Sequence, residues 1–291
     1  MIRQLVMRGF QPLSLIAIVA FWGLAPDALV ARPATLIVAL VAIMGTVLAM
    51  EAVSERHAGW RLTWREFATD VFYVVLTFTV IDWCTDHFGD GPLLAVKQHF
   101  GLATPWVARW PYLVQIALVV FLIEFGQYWM HRAMHNWIPL WLIHAPHHHI
   151  TQLNALKGAV GNPIELWLIS LSVVALFDVS ERAIFAAASI LMFVSSCAHA
   201  NVRFITPRWY ALLFTTIENH SLHHSVPYAD TRCNYANSLI LIDRVLGTYR
   251  AGEAMLVGQG DRRRLSIAEQ FRFPFGPLIA LVRGKNQPSA G

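Results

Sequence analysis

Residues 128–149 read YWMHRAMHNWIPLWLIHAPHHH, and the spacing of the histidines in that run decides the architecture. His131 and His135 stand at H-x3-H, and His144, His147 and His148 at H-x2-H-H, with His149 directly after. Some seventy residues on, HSLHH repeats the second spacing with His220, His223 and His224. Positions i, i+3 and i+4 of a helix share a face, so each cluster is expected to bring two or three imidazoles to one place. Neutral imidazole ligates iron, zinc, copper and nickel. Ten of the chain's 13 histidines lie between His131 and His224, and a metal site is the reading. His199 stands at the end of an apolar run on the same side and is a ninth candidate ligand. His149, beside two stronger candidates, is set aside, as are the isolated His57, His87 and His99.

Outward from the histidines the chain is apolar. Hydrophobic residues make up 56% of it and charged ones 14%, against the roughly one quarter charged of a soluble protein. Mean hydropathy is +0.48. Both point to a membrane protein. The net charge of +4 comes from arginines flanking apolar runs, which serve as orientation signals and headgroup contacts rather than a nucleic-acid footprint. Cys84, Cys197 and Cys233 form no C-x-x-C pair, hence neither a disulfide framework nor a thiolate zinc site.

Apolar runs at residues 13–25 and 34–50, turned at Pro26-Asp27, read as a hairpin of spans rather than a cleaved leader. A third run covers 71–81 and ends in Asp82, Asp86 and Asp90. Residues 92–110, with two tryptophans and Pro105, suit an interfacial or re-entrant segment. The fourth span, 112–130, runs straight into His131. Runs at 164–177 and 183–198 form another hairpin, turned at residues 178–181. Arginines fall on one side of this pattern and acidic residues on the other, which puts both termini and all three clusters on the cytoplasmic side. The fold expected is an all-α polytopic membrane bundle of about four to six spans with a cytoplasmic helical cap holding the metals. Residues 1–110 would be the membrane hairpin, third span and interfacial segment, 111–250 the catalytic region and 251–291 a C-terminal tail, loose beyond Pro274, in one integrated domain.

Glu124 is an ionisable residue inside the fourth span, on the face of His131 and His135. It either orients a ligand or relays a proton there, or pairs with a neighbouring helix.

The motifs YWMHRAMH, HAPHHH, HAN at residues 199–201, HSLHHS and NYANSLILIDRVLGTY together resemble the fatty acid hydroxylase superfamily, which includes sterol desaturases and methyl oxidases. The resemblance covers roughly residues 127–249, including Asn234, Tyr235, Asp243, Arg244, Gly247 and Thr248. It implies two irons held by His131, His135, His144, His147, His148, His220, His223 and His224, with His199 joining them. It also implies O2 as co-substrate and hydroxylation or desaturation of a lipid such as a sterol or fatty acyl chain. Asn154 and Glu165 match polar positions after the second cluster. Asn162 stands where the family often has a basic residue or histidine, and Ile217-Glu218-Asn219 replaces a common Thr-Pro-Arg.

The chemistry agrees with the residues alone. An unactivated C–H bond needs an oxidant that a redox metal and O2 can generate and zinc cannot. Glu124, Glu165, Glu218 and Asp243 are candidates to fix imidazole tautomers, and Glu124, Glu165 and Asp243 head the candidate catalytic set. Purified protein is expected to hold iron, or zinc in its place. Electrons are expected from a separate reductase with a ferredoxin-like or cytochrome partner, and Arg262, Arg263 and Arg264 either attract that partner or contact lipid headgroups. Two competing readings are a metal transporter or sensor and a zinc-dependent membrane hydrolase. The first wants ligands near mid-span, and the second only three of them. Hydroxylation is preferred over desaturation.

Overall fold

The computed structural model describes residues 1–277 and 279, and among them the chain is helical, with two isolated β-bridges and no strand. Five helices are long and apolar enough to cross a membrane: α1 (Ile2–Leu24), α2 (Pro33–Val53), α3 (Trp64–His99), α4 (Tyr112–Asn136) and α5 (Glu181–His199). The remaining tail residues expected beyond Pro274 lie almost wholly outside the described range.

Helix α5 is the hub. Ala183, Ala186, Ala187, Ser189 and Ala198 are all buried on it, and such small side chains let α1, α2 and α4 approach closely. Trp22 Nε1 donates to Ser189 Oγ at 2.9 Å, so a polar pair locks α1 to the hub inside the apolar layer. Arg182, at the start of α5, donates to the carbonyls of Trp22 and Ala25 and to Asp27. His199 ends the same helix, 17 residues later, or about 26 Å away. The histidines and Arg182 therefore mark opposite ends of the bundle. The α1–α2 hairpin is present as expected, turning at the Arg182 end and returning both Arg3 and Ser54 to the histidine end, where they hydrogen-bond.

Two expectations need correction. The third apolar run does not stop at the acidic patch, because the helix continues through Asp82, Asp86 and Asp90 to His99. Its 36 residues make about 54 Å, longer than a hydrocarbon core of roughly 30 Å. Pro92 does not end it because the turn before widens to π geometry over Asp86–Asp90. Gly91 makes room for that turn: a Cβ there would stand 2.8 Å from the Asp86 carbonyl. The run 164–177 fails in the other direction. It forms only an eight-residue helix, α6 (Pro163–Ser170), about 12 Å long, and then leaves helical geometry at Leu171. That is too short to cross a hydrocarbon core of roughly 30 Å.

Beyond α4 the chain builds a cap from short helices, chiefly α7 (Ile138–His148) and α8 (Ile217–His223). Charges lock this cap to the bundle. Buried Lys157 bridges Asp70 and Glu66 of α3, Asn154 donates to Asp70, and Arg264 reaches Glu66 from the far end of the chain. Arg56 clamps Glu253 and Glu218.

Candidate metal centre

The nine predicted imidazoles converge, but not cluster by cluster. His131, His135, His144, His148 and His223 form one group and His147, His199, His220 and His224 a second, with ligand atoms within 4.8 Å of one another in each. Both H-x2-H-H motifs are split between the two groups. On α7 the i, i+4 pair His144 and His148 joins the first and His147 the second. On α8 the pair His220 and His224 joins the second and His223 the first. Successive helical positions turn by about 100°, so i and i+4 stay close while i+3 and i+4 diverge. Each helix thus gives two imidazoles to one group and one to the other. His131 and His135, from the end of α4, complete the first, and His199, from the end of α5, the second. His149 joins neither and packs on Phe273.

All nine are at most 7% exposed. Among those in the cap, burial holds every imidazole below its ordinary pKa, His144 at about 3, and His147, His148, His220, His223 and His224 are shifted the same way by burial first. They are neutral at pH 7, the ligating form.

The tautomers follow from the second nitrogen of each ring. His131 Nδ1 donates to the Tyr235 carbonyl at 2.6 Å and His223 Nδ1 to the Cys233 carbonyl at 2.7 Å. Carbonyls only accept, so both protons sit on Nδ1 and both Nε2 atoms are bare. Those two bare atoms face each other at 3.0 Å. Two lone pairs at that distance repel unless a cation lies against both. In the second group, His147 Nδ1 donates to Val160 and His199 Nδ1 to Ser195, at 2.6 and 2.8 Å, which bares their Nε2 atoms likewise. The donor set fits two metal ions.

Of the four carboxylates expected near the imidazoles, Glu165 touches one: its Oε1 accepts from His144 Nδ1 at 2.6 Å. Its Oε2 meanwhile accepts the Asn162 N–H in the capping box that starts α6. Asn162, at the family's variant position, is therefore a helix cap here. Glu218 pairs with Arg56 instead. Glu124 and Asp243 act one step back. Glu124 Oε2 accepts the N–H groups of Ser238 and Leu239, and Asp243 accepts those of Tyr235 and Ala236 together with the Thr248 hydroxyl. Between them they hold residues 235–239 in place.

That loop explains the motif at residues 234–249. Asn234 has φ of 53°, a left-handed turn that asparagine tolerates, so the carbonyls on either side of it, Cys233 and Tyr235, reach two different imidazoles. Gly247, at φ 72°, turns the chain back so that Thr248 meets Asp243, and Arg244 stacks 3.6 Å over Tyr249. Sequence reasoning missed the carbonyls of Cys233, Tyr235, Val160 and Ser195 because a backbone acceptor has no residue-type signature. The expected landing patch is also largely occupied: Arg263 pairs with Glu269, Arg264 with Glu66, and Arg262 donates to the Val257 carbonyl.

A cavity of about 360 Å³ within the bundle approaches the centre, bordered by α2, α3, α4, α5 and α6. Its walls are mostly apolar, with Met44, Phe78, Ile123 and Leu166 among them. Gly158 and Ser195 close its inner end against His199: a Cβ at Gly158 would stand 3.3 Å from His199 Cε1.

Comparison with known proteins agrees with this geometry. The profile of the family described as fatty acid hydroxylase matches residues 116–248. Ornithine lipid hydroxylase OlsE of Rhizobium tropici is 30% identical over 161 residues, 54% of this chain and 47% of that protein. Alkylglycerol monooxygenase of Danio rerio is 30% identical over 157 residues, 52% of this chain and 33% of the relative. Delta(7)-sterol-C5(6)-desaturase of Nicotiana tabacum is 29% identical over 150 residues, 48% and 51% of the two chains. The matched part spans about half or less of each of these relatives. No solved structure matches the chain. Residues 116–248, which carry all nine histidines, are thus similar to the fatty acid hydroxylase family.

Proposed function

We propose that this protein is an O2-dependent di-iron oxygenase that hydroxylates a C–H bond of a membrane lipid, with desaturation as the variant outcome of the same chemistry. The observation that carries the reading is the pair of all-imidazole groups, with bare Nε2 atoms turned toward each other, set behind Gly158 and Ser195 at the end of a mostly apolar cavity. His131, His135, His144, His148 and His223 would hold one iron, and His147, His199, His220 and His224 the other. Bound iron would supply the redox chemistry with O2 that neutral zinc-type Lewis acidity lacks.

The chain's own residues do the positioning. Carbonyls and Glu165 take the Nδ1 protons and so aim the Nε2 lone pairs. The cavity admits a lipid segment from the apolar layer and excludes water from the reacting carbon. Metal ligands at one end of the bundle, away from mid-span, favour this reading over a transporter. Nine imidazoles exceed what one hydrolytic zinc needs. The cap and both metals would face the cytoplasm, where a separate one-electron donor with its reductase docks.

Lipid mass profiles of host cells expressing the wild type and a His147→Ala, His148→Ala double variant test the proposal. A species heavier by one oxygen, present only with the wild type, is expected. Loss of two hydrogens instead makes the enzyme a desaturase. Identical profiles in a host supplied with the reductase system overturn the oxygenase reading.

A further inference from the structure

The two helices of the N-terminal hairpin do not close on each other. Both α1 and α2 pack on α5, and between them runs a groove of about 630 Å³. Residues 17–22 of α1 and 34–43 of α2 form its walls, with Ser189 of α5 behind them. Ala17, Ala34, Ala39 and Ala42 leave a width that larger side chains would have filled. Phe21 and Val38, 44% and 65% exposed, mark its open side. The polar groups along it are already engaged: Ser189 Oγ accepts from Trp22 Nε1, and the Thr35 hydroxyl donates to the Leu29 carbonyl at 2.7 Å. The rest of the lining is apolar, apart from one residue at its end.

That residue is Arg32, exposed, in the turn that leads into α2. Among the described residues its guanidinium has no acceptor, because Asp27, the one acid of the turn, pairs with Arg182. The groove therefore lies in the half of the bundle away from the histidines and ends at the level of a free cation. Its length also carries information. Residues 34–43 rise about 14 Å along α2. Half of a hydrocarbon core of roughly 30 Å is nearly the same, so the slot is one leaflet long.

We propose that this groove is a lipid-binding site, which seats an acyl chain of an anionic phospholipid while Arg32 holds the phosphate. A guanidinium matches phosphate bidentately, and an alkyl chain restores the dispersion contacts that the gap between α1 and α2 lacks. The bound lipid would be structural, joining the two walls of the hairpin. A second copy of the chain suits the groove less well. A two-fold interface packs like against like, so a dimer centred here would set two unpaired Arg32 side chains against each other at one depth. The site stands at the opposite end of the bundle from the nine imidazoles and is independent of the oxygenase reading.

Native mass spectrometry of the full chain in detergent tests this, with equimolar dioleoyl phosphatidylglycerol and dioleoyl phosphatidylcholine added. The acyl chains are the same and the headgroup charge differs. One retained lipid per chain is expected, with phosphatidylglycerol preferred about fivefold, ~1 kcal/mol. Arg32→Gln removes the charge at an exposed position and should bring the preference to about twofold or less, with a lipid still retained. Ala42→Phe, exposed on the groove wall, fills the slot and should remove the retained lipid while the melting temperature in lipid-free detergent stays that of the wild type. If Ala42→Phe does not fold, Arg32→Gln carries the test. No retained lipid, equal retention of the two headgroups, a preference that survives Arg32→Gln, or a lipid that persists in folded Ala42→Phe overturns the proposal. A species of doubled mass that Ala42→Phe returns to the monomer would assign the groove to a second copy, and overturns it as well.

Discussion

Glu165 shows how much a single residue does at this centre. Its two oxygens serve different masters, the imidazole of His144 and the first turn of α6. Glu165→Gln separates the two roles, because glutamine at that helix position still completes a capping box while its neutral oxygen is a weaker acceptor for His144. Outer-shell substitutions of this kind typically cost 10–100-fold in metal affinity. Competition with a chelator should therefore show metal held at least about tenfold more weakly, with the metal-free melting temperature unchanged. Unaltered affinity would make Glu165 a helix cap and nothing more. The need for a buried carboxylate near the histidines was readable from the sequence, but which of four candidates met an imidazole was not. Glu124 sits closer in sequence to a ligand than Glu165 does and Asp243 about as close, yet both turn to backbone N–H groups instead.

At the scale of elements, the loop at residues 233–239 is the part of the site that no histidine count reveals. It carries the carbonyls that orient His131 and His223, and Asp243 holds it by two backbone N–H groups. Asp243→Ala leaves those two buried donors, on Tyr235 and Ala236, without acceptors, at about 1–3 kcal/mol each. The expected result is a clear drop in melting temperature. Occupancy of the five-histidine group, which contains both His131 and His223, should fall first, taking metal per chain from two toward one. Metal analysis across a titration checks this, and simultaneous loss of both ions would show that the loop supports the whole cap instead. The spans were legible because long apolar runs leave little choice in a bilayer. Their ends were not, because each end is set by a local exception. Gly91 and the π turn before it carry α3 past Pro92, and the eight-residue α6 stops although its sequence stays apolar. Likewise H-x2-H-H gives the face of a helix but not the partner across from it, so the division of each motif between two groups appears only once α7 and α8 are packed together.

For the whole molecule, the polarity of the bundle links the site to a side of the membrane. Arg3, Ser54, Arg56 and Arg203 gather at the histidine end. The opposite end carries fewer cations, and Arg182 and Lys97 there pair with Asp27 and Asp178. An excess of arginine flanking the spans at the histidine end would, by the positive-inside rule, place that end on the cytoplasmic side. Two exposed positions report on this directly. Ala28 lies in the short turn between α1 and α2, at the Arg182 end, and Met255 lies on the cap, 69% exposed. Cys197 and Cys233 are buried, so replacing Cys84 with serine gives a quiet background for single cysteines. In intact cells a membrane-impermeant maleimide should then label Ala28→Cys and spare Met255→Cys, and permeabilisation should expose both. The opposite pattern would put the metals on the outer face, away from cytoplasmic reductants, and would require the electrons for this chemistry to come from another compartment.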